Sequence, residues 1–218
     1  MIISHENEAY KKIRERAGGN AFNGAYYYSK EIVRNIIPNV QTDRNWITIA
    51  IPGVYCDHAI VFIHNNITTR AYEQLRGCSD LVLVCGVEST CKKVRHLGKP
   101  IYLPLSVDVA EVMQYRTEKT AEIAYAGRAH KARHLIREGF KFPEETVFLE
   151  DLPREMLLTE MAKYWKIYAV GRTAIEARVL GCDILPFDRR FPDPAIWNVV
   201  DNLQAAKTLQ EELNKIDG

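Results

Sequence analysis

Short apolar runs rich in valine and isoleucine alternate along the chain with stretches that carry apolar residues at helical spacing. This alternation predicts an α/β fold, in which parallel strands are joined by helical crossovers. The runs with strand character cover residues 46–51, 59–64, 81–85, 100–105, 122–126, 146–149, 167–170 and 183–186. Helical spacing in the second half predicts helices over residues 132–139, 153–165 and 173–180.

The alternating elements fall into two groups that are separated by a polar stretch of mixed charge, residues 109–120. This stretch lacks strand character, so it predicts a linker between an N-terminal domain, residues 1–108, and a C-terminal domain, residues 121–218. We expect two small Rossmann-like domains, each with a parallel sheet, that face a cleft at the carboxyl ends of their strands. Helical spacing over residues 194–216 predicts a terminal helix, assigned to the C-terminal domain, that packs back across both halves.

Composition and charge argue against several classes of protein. Lysine and arginine total 29 against 28 aspartates and glutamates, so no overall field attracts a polyanion, and any contact with nucleic acid has to be local. The longest apolar runs fall well short of the ~20 residues that span a bilayer, which predicts no membrane span. The first residues lack the basic start and apolar segment of a secretory signal, which predicts a cytoplasmic protein.

The cysteines and histidines do not predict a resident metal. The five cysteines lack the Cys-x-x-Cys spacing of zinc and redox sites, which favours buried free thiols. His58 and His64 are six residues apart on an extended run, hence ~20 Å, too far to share an ion. His130 and His134 share a helix face, but the sequence offers no third ligand. Mg²⁺ would come only with the phosphates of a substrate.

The first turn with candidate chemistry follows the strand run that ends near residue 126. Gly127 and Arg128 precede a helix, and with Lys131 and Arg133 they place positive charge beside exposed backbone amides. Bound phosphate groups need both features. The residues alone leave two alternatives open: Arg128 pairs with a surface carboxylate, and Lys131 and Arg133 are ordinary solvated helix charges.

The second such turn lies after the next strand but one. Gly171 permits a sharp turn, and Thr173 is suited to cap a helix. Glu176 then lies one turn in, where its carboxylate is either close to a ligand held by the exposed amides of the helix start or simply favours the positive end of the helix. Arg172 either adds charge to this site or faces solvent. His64, at the end of another strand run, is a candidate general base, or a histidine that only satisfies a backbone carbonyl.

Three sequence elements together resemble the GT-B glycosyltransferases that use nucleotide sugars. Residues 124–128 with Lys131 and Arg133 are similar to the family's strand that ends in Gly-Arg and is followed by a lysine, which together grip the donor diphosphate. Residues 176–181 resemble its Glu-Ala-x-x-x-Gly element, whose glutamate contacts the donor ribose. Residues 104–108 resemble the Pro-x-x-Val-Asp sequence that closes the N-terminal half in many members.

The resemblance implies a glycosyltransferase that moves a sugar from a nucleotide-diphosphate sugar, such as a UDP sugar, to an acceptor hydroxyl without a cofactor. The acceptor stays open between a saccharide, a lipid carrier, a protein and a modified base in nucleic acid. The residues implied for the donor are Gly127, Arg128, Lys131, Arg133, Gly171, Arg172, Thr173 and Glu176, and the residue implied as catalytic base is His64.

The chain also departs from this family. Tyr168 stands where the family commonly has a second glutamate. The chain is much shorter than typical members, which implies an acceptor-binding half that is trimmed or supplied by a partner in an oligomer. These departures keep two alternatives open: a non-catalytic nucleotide- or nucleotide-sugar-binding protein of the same fold, and a sugar-nucleotide epimerase. The lack of a phosphate-loop or Gly-x-Gly-x-x-Gly motif argues against an NTPase or a dehydrogenase.

Overall fold

Strands and helices alternate in the structure, a computed structural model that describes residues 1–8, 10–12, 24–49, 55–64 and 67–218. The elements up to residue 105 are β1 (Ile2–Ile3), α1 (Gly24–Glu31), β2 (Asn45–Ile47), β3 (Ala59–Ile63), α2 (Thr69–Leu75), β4 (Leu81–Cys85), α3 (Glu88–Val94) and β5 (Lys99–Tyr102). The later elements are α4 (Val109–Met113), β6 (Ala121–Gly127), α5 (Ala129–Arg137), β7 (Val147–Glu150), α6 (Arg154–Met161), β8 (Tyr164–Tyr168), α7 (Arg172–Val179), β9 (Asp183–Leu185) and α8 (Asn202–Asp217). A π-helical turn, Ile32–Ile36, and a 3-10 turn, Ile37–Asn39, continue α1.

The elements divide into two units, each with one parallel sheet, so the predicted α/β fold with two parallel sheets is confirmed. Unit 1 comprises residues 1–105 and 201–218, and unit 2 comprises residues 106–200. The sequence led us to place the terminal helix in the C-terminal domain, but α8 is part of unit 1. The physical reason is that α8 packs against the π-helical turn after α1 and against β5.

The predicted linker, residues 109–120, lies within unit 2 and begins with α4. Asp108 caps this helix, because its Oδ1 accepts a hydrogen bond from the backbone N–H of Glu111 at 2.8 Å. An aspartate followed three residues later by a glutamate resembles the reciprocal capping arrangement at helix starts. The polar composition of the segment concealed this signal, which is why the sequence predicted a linker there.

The sheet of unit 1 places its described strands in the order β1-β2-β3-β4-β5, all parallel. Every residue of β3 and β4 is buried, as is typical of parallel strands that are covered on both faces. Val61 and Leu83 belong to the apolar cluster on one face, and the rings of Tyr28 and Phe62 meet on the other. The strand predicted over residues 46–51 corresponds to β2, which already ends at Ile47; residues 50 and 51 lie outside the described part of the chain.

A charged network at the amino ends of β2, β3 and β4 ties α8 to unit 1. Arg44 is buried and donates to Asp217 of α8 at 2.7 Å and to Asp80 at 3.1 Å. His58 contacts Asp80 through Nδ1 at 2.5 Å and Asp43 through Nε2 at 3.1 Å. The hydrogen bond with Asp80, followed by that with Asp43, raises the pKa of His58. Folding of unit 1 therefore favours the protonated imidazole.

The sheet of unit 2 has the strand order β7-β6-β8-β9, again all parallel. The chain leaves β6 through α5 toward β7, and it leaves β8 through α7 in the opposite direction, toward β9. Because such crossovers are right-handed, α5 and α7 cover opposite faces of the sheet. Helix α5 lies on the face that carries Tyr125, where Ala132 and Phe187 pack against that ring.

One helix of unit 2 is shorter than the sequence predicted. The helix predicted over residues 153–165 ends at Met161, because Tyr164 and Trp165 already belong to β8. Large aromatic residues are compatible with extended backbone, and the pairing of β8 between β6 and β9 holds these two residues in the strand. No helix in the described part of the chain is both long enough and apolar enough to cross a bilayer.

Candidate functional site

The two turns singled out by the sequence lie at the same edge of one sheet. Strands β6 and β8 are neighbours, with Tyr125 paired to Tyr168, and each predicted turn begins within three residues of this pair. The connections from these two strands run to opposite sides, so the point between them is the topological switch point of unit 2. Ligands of open parallel sheets bind in the crevice that forms at such a point.

The last residue of β6, Gly127, lies directly against the side chain of Tyr125. A Cβ added to Gly127 would lie 2.7 Å from the hydroxyl oxygen of Tyr125. That hydroxyl donates a hydrogen bond to the carbonyl of Arg128 at 3.1 Å, and the ring of Tyr125 is buried. The close approach of Tyr125 therefore fixes the backbone of Arg128, which is the N-cap residue of α5.

Helix α5 begins at Ala129, earlier than the predicted 132–139, and a carboxylate already lies at its start. The backbone N–H of Ala129 donates to Oδ2 of Asp151 at 3.3 Å, and the N–H of Asp151 donates to the carbonyl of Gly127 at 3.1 Å. Asp151 has a φ of +53°, a conformation that aspartate tolerates better than most residues. Asp151 was not among the predicted site residues, although an aspartate shortly after a strand run is a recognisable turn signal.

A groove in unit 2 runs between α5 and the segment after β9, residues 186–192. Its first part is a cavity of about 510 Å³ that we name the cation lobe, and its polar lining consists of His130, Lys131, His134 and Glu138 on one side and Asp188, Arg189 and Arg190 on the other. The second part, an adjoining cavity of about 520 Å³ that we name the apolar lobe, is lined among others by Leu135, Phe140, Pro186, Phe187 and Pro192.

Arg190 is held in position by Asp188, and neither residue was among the predicted site residues. Oδ1 of Asp188 accepts from the Nε and the backbone N–H of Arg190 at 2.9 and 3.0 Å, and Oδ2 accepts from Nη2 at 2.5 Å. Burial acts to raise the pKa of Asp188, but the hydrogen bonds from Arg190 and the nearby positive charges lower it overall. The Asp188 carboxylate is therefore ionised and already engaged.

Lys131 lies near two other cations, Arg190 across the cation lobe and Arg128 at the start of α5. Its side chain is accessible, yet the groove walls surround it and limit its solvation. This burial lowers the pKa of Lys131 most, and the charges of Arg190 and then Arg128 lower it further, against the attraction of Asp188. We name Arg128, Lys131 and Arg190, together with Asp188, the cation cluster. Its positive charges exceed its single negative charge.

Arg133 points away from this cluster. Successive residues of an α-helix are about 100° apart around the axis, so Arg133 lies roughly 200° from Lys131. The groove is lined by residues 130, 131, 134 and 135 of α5 and by the residue after its end, 138, and Arg133 is exposed on another side. The structure therefore brings Arg128 and Lys131 together and leaves Arg133 apart from them.

The turn after β8 begins α7 one residue earlier than predicted. Gly171 is the N-cap residue, with a φ of +64° and a ψ of −141°, and it makes no side-chain cap. This backbone conformation is essentially restricted to glycine. Thr173, which the sequence suggested as the cap, is instead the second residue of the helix and is partly buried. Arg172, the first residue of the helix, is buried.

Glu176 lies in a network of ion pairs on α7 and its neighbours. Its Oε1 accepts from the Nε of Arg172 at 2.8 Å and from the Nε of Arg154 at 3.0 Å. Arg154 also donates to Oε1 of Glu111 at 2.6 Å. We name these four residues the Glu176 network. It pairs two carboxylates with two guanidinium groups, and the sequence analysis missed Arg154 and Glu111 because both are distant along the chain.

His64 directly follows β3 in unit 1, whereas the residues implied for the donor belong to unit 2. Its ring lies edge-on to Tyr28, with ring centroids 5.1 Å apart. The role of general base for His64 stays a prediction. Among the described residues, no group of three or more histidine, cysteine, aspartate or glutamate side chains is arranged to hold a metal ion.

No protein-family model matches the chain, and no curated protein matches it either. The geometry of unit 2 and the resemblance of its motifs are therefore what bears on function.

Proposed function

We propose that unit 2 binds the diphosphate of a nucleotide sugar at the cation cluster and that the protein transfers the sugar to an acceptor hydroxyl. The observation that carries this proposal is the excess of positive charge around Lys131, beside the switch point of a parallel sheet. Like charges repel, so a cluster of this kind is most stable when an anion occupies it. A diphosphate supplies such an anion and accepts the charge-assisted hydrogen bonds of arginine and lysine.

The same cluster suits the chemistry of glycosyl transfer. When the bond between the sugar and the diphosphate breaks, negative charge develops on the leaving phosphate. Cations held in place beforehand stabilise that charge without reorganisation, which is the main catalytic effect open to an enzyme of this kind. Asp188 fixes Arg190 in this way, and the Tyr125 hydroxyl fixes the backbone of Arg128. His64 is proposed as the general base of this transfer. The acceptor that carries the hydroxyl stays open.

One observation favours a second candidate, a binding protein without turnover. In the GT-B family the glutamate that Glu176 resembles contacts the donor ribose, but Oε1 of Glu176 is engaged by two arginines. A protein that binds a nucleotide sugar and releases it unchanged would show the same cation cluster. Product analysis after incubation with a donor separates the two candidates.

Isothermal titration with UDP and UDP sugars tests the proposal. Lys131→Ala removes one charge-assisted contact, worth about 1.5–3 kcal/mol, so we expect affinity to fall roughly ten- to hundredfold. Arg133→Ala is the matched control, because it removes a cation from the same helix but from another side. Equal effects of the two substitutions, or no binding by the unmodified protein, would refute the proposed site.

A further inference from the structure

The apolar lobe continues the cation lobe along α5. The two lobes form one groove, because they share the lining residues Leu135, Glu138, Phe187, Asp188 and Arg189. Leu135 lies one helical turn after Lys131, about 6 Å along the axis at the usual rise per residue. A single small molecule can therefore touch the cations and the apolar lobe at the same time.

The end of α5 fixes the position of Phe140 in this lobe. The N–H of Gly139 donates to the carbonyl of Ile136 at 3.0 Å, and the N–H of Phe140 donates to the carbonyl of Leu135 at 2.9 Å. This is the Schellman arrangement, which Gly139 permits through its φ of +88°. The ring of Phe140 also packs edge-on against Phe142, with centroids 4.8 Å apart. Phe140 is thus held by backbone and by neighbouring rings, yet remains partly exposed in the groove.

The chemistry of the groove fits a ligand with an anionic end and a flat apolar end. Lys131 and Arg190 line only the cation lobe, and the ring of Phe140 lines only the apolar lobe, whose rim also carries Lys141. A simple sugar phosphate would leave the aromatic end without contacts. A nucleoside phosphate matches both ends, because bases stack well on aromatic side chains.

We propose that the apolar lobe binds the base of the nucleotide whose phosphates contact Lys131 and Arg190. The inference rests on the proposed function, and it gives the nucleoside a place other than Glu176, which is engaged with Arg154 and Arg172. The donor would then lie along one side of α5, with its phosphates in the cation lobe and its base in the apolar lobe. The base specificity of the protein would come from residues 186–192 and from Phe140.

Titrations with pyrophosphate and with UDP test this inference in three proteins: the unmodified chain, Phe140→Ala and Phe148→Ala. Phe148 is the matched control, because it is a partly exposed ring that packs on Phe142 but lies on β7, outside the groove lining. We expect Phe140→Ala to weaken UDP binding about five- to hundredfold and to leave pyrophosphate binding unchanged. Phe148→Ala should change neither affinity.

A second measurement avoids dependence on how the variants fold. Intermolecular NOEs between the uracil protons of UDP and ring protons of labelled phenylalanine are expected in the unmodified protein. If UDP binds in a Lys131-dependent manner but Phe140→Ala has no effect and the NOEs are absent, the inference fails while the proposed function stands. If neither pyrophosphate nor UDP binds, the proposed function fails. If geranyl phosphate binds more tightly than UDP and Phe140→Ala weakens its binding, the ligand of the groove is a lipid phosphate and not a nucleotide, and the inference fails.

Discussion

Replacement of Glu176 by glutamine tests whether this residue is structural or binds a ligand. Its side chain is 4% exposed, that of Arg172 is 2% exposed and that of Arg154 is 11% exposed. Removing one partner of a buried ion pair typically costs about 3–5 kcal/mol, because the other charge is left without compensation. Glutamine keeps an acceptor oxygen and Arg154 keeps Glu111, so we expect a loss near the lower limit, about 3 kcal/mol.

Glu111→Gln is the matched control within the same network. The side chain of Glu111 is 40% exposed, and its pair with Arg154 lies nearer to solvent. Exposed ion pairs contribute about 0–1 kcal/mol to stability. The structure therefore predicts a clear difference between two substitutions that each remove one carboxylate charge from the same arginine.

The assay has to follow unit 2 separately, since a chain of two units need not unfold in one step. The chain has three tryptophans, which makes 5-fluorotryptophan labelling and fluorine NMR practical. Trp46 lies in unit 1, and Trp165 and Trp197 lie in unit 2. In a urea titration, Glu176→Gln should shift the transitions of Trp165 and Trp197 and leave that of Trp46 in place.

Two results would refute this reasoning. Losses below about 1 kcal/mol for both Glu176→Gln and Glu111→Gln would mean that the Glu176 network does not stabilise unit 2. Unchanged stability of Glu176→Gln combined with weaker UDP binding would return Glu176 to the ribose-binding role that the family resemblance implies. Either outcome is decided by the same purified variants.

Three further substitutions test local features of the two units. The pKa of His58 is raised above its ordinary value of 6.5 in the folded state, so protonated His58 stabilises unit 1. This contribution is complete below pH 6.5 and is lost as the pH rises through the raised pKa. His58→Gln should therefore remove the corresponding pH dependence from the urea unfolding of unit 1. Gly171→Ala places a side chain at a φ of +64° and should lower the free energy of unfolding of unit 2 by about 1–3 kcal/mol. Gly77→Ala is the control: its added Cβ would make only an ordinary contact, so the stability of unit 1 should change by less than about 1 kcal/mol. Gly127→Ala brings its Cβ within 2.7 Å of the Tyr125 hydroxyl and should lower the free energy of unfolding of unit 2 by about 1–3 kcal/mol. If that loss is just as large in a Tyr125→Phe background, the contact with the hydroxyl is not its cause.

The class of fold was predictable because the composition of its strands reflects how they are buried. Residues 81–85 are all apolar, as a strand that is buried on both faces requires, and they form β4. The end of α6 was not predictable in the same way. Tyr164 and Trp165 satisfy helical spacing as well as strand propensity, and only the pairing of β8 between β6 and β9 decides for the strand.

The candidate site was predictable only where its signal is local. Gly127, Arg128 and Lys131 follow one another around a single turn, so the sequence alone could group them. Arg190 comes from a segment without periodicity after β9, and only the folding of that segment beside α5 brings it to Lys131. For the same reason the sequence could not show that Arg154, on α6, engages Glu176 on α7.

The charges on α5 and α7 differ in a way that salt can test. The Glu176 network is neutral in sum and largely buried, whereas the cation cluster has excess positive charge in an open groove. Salt screens accessible charges strongly and buried pairs only weakly. Raising sodium chloride from about 0.05 M to about 0.5 M should therefore weaken UDP binding to the cation cluster. The affinity of Arg133→Ala should fall with salt as steeply as that of the unmodified protein, and the affinity of Lys131→Ala should fall less steeply. The unfolding of unit 2 should keep its dependence on Glu176 at both concentrations. A UDP affinity that is independent of salt would place the nucleotide away from Lys131 and Arg190.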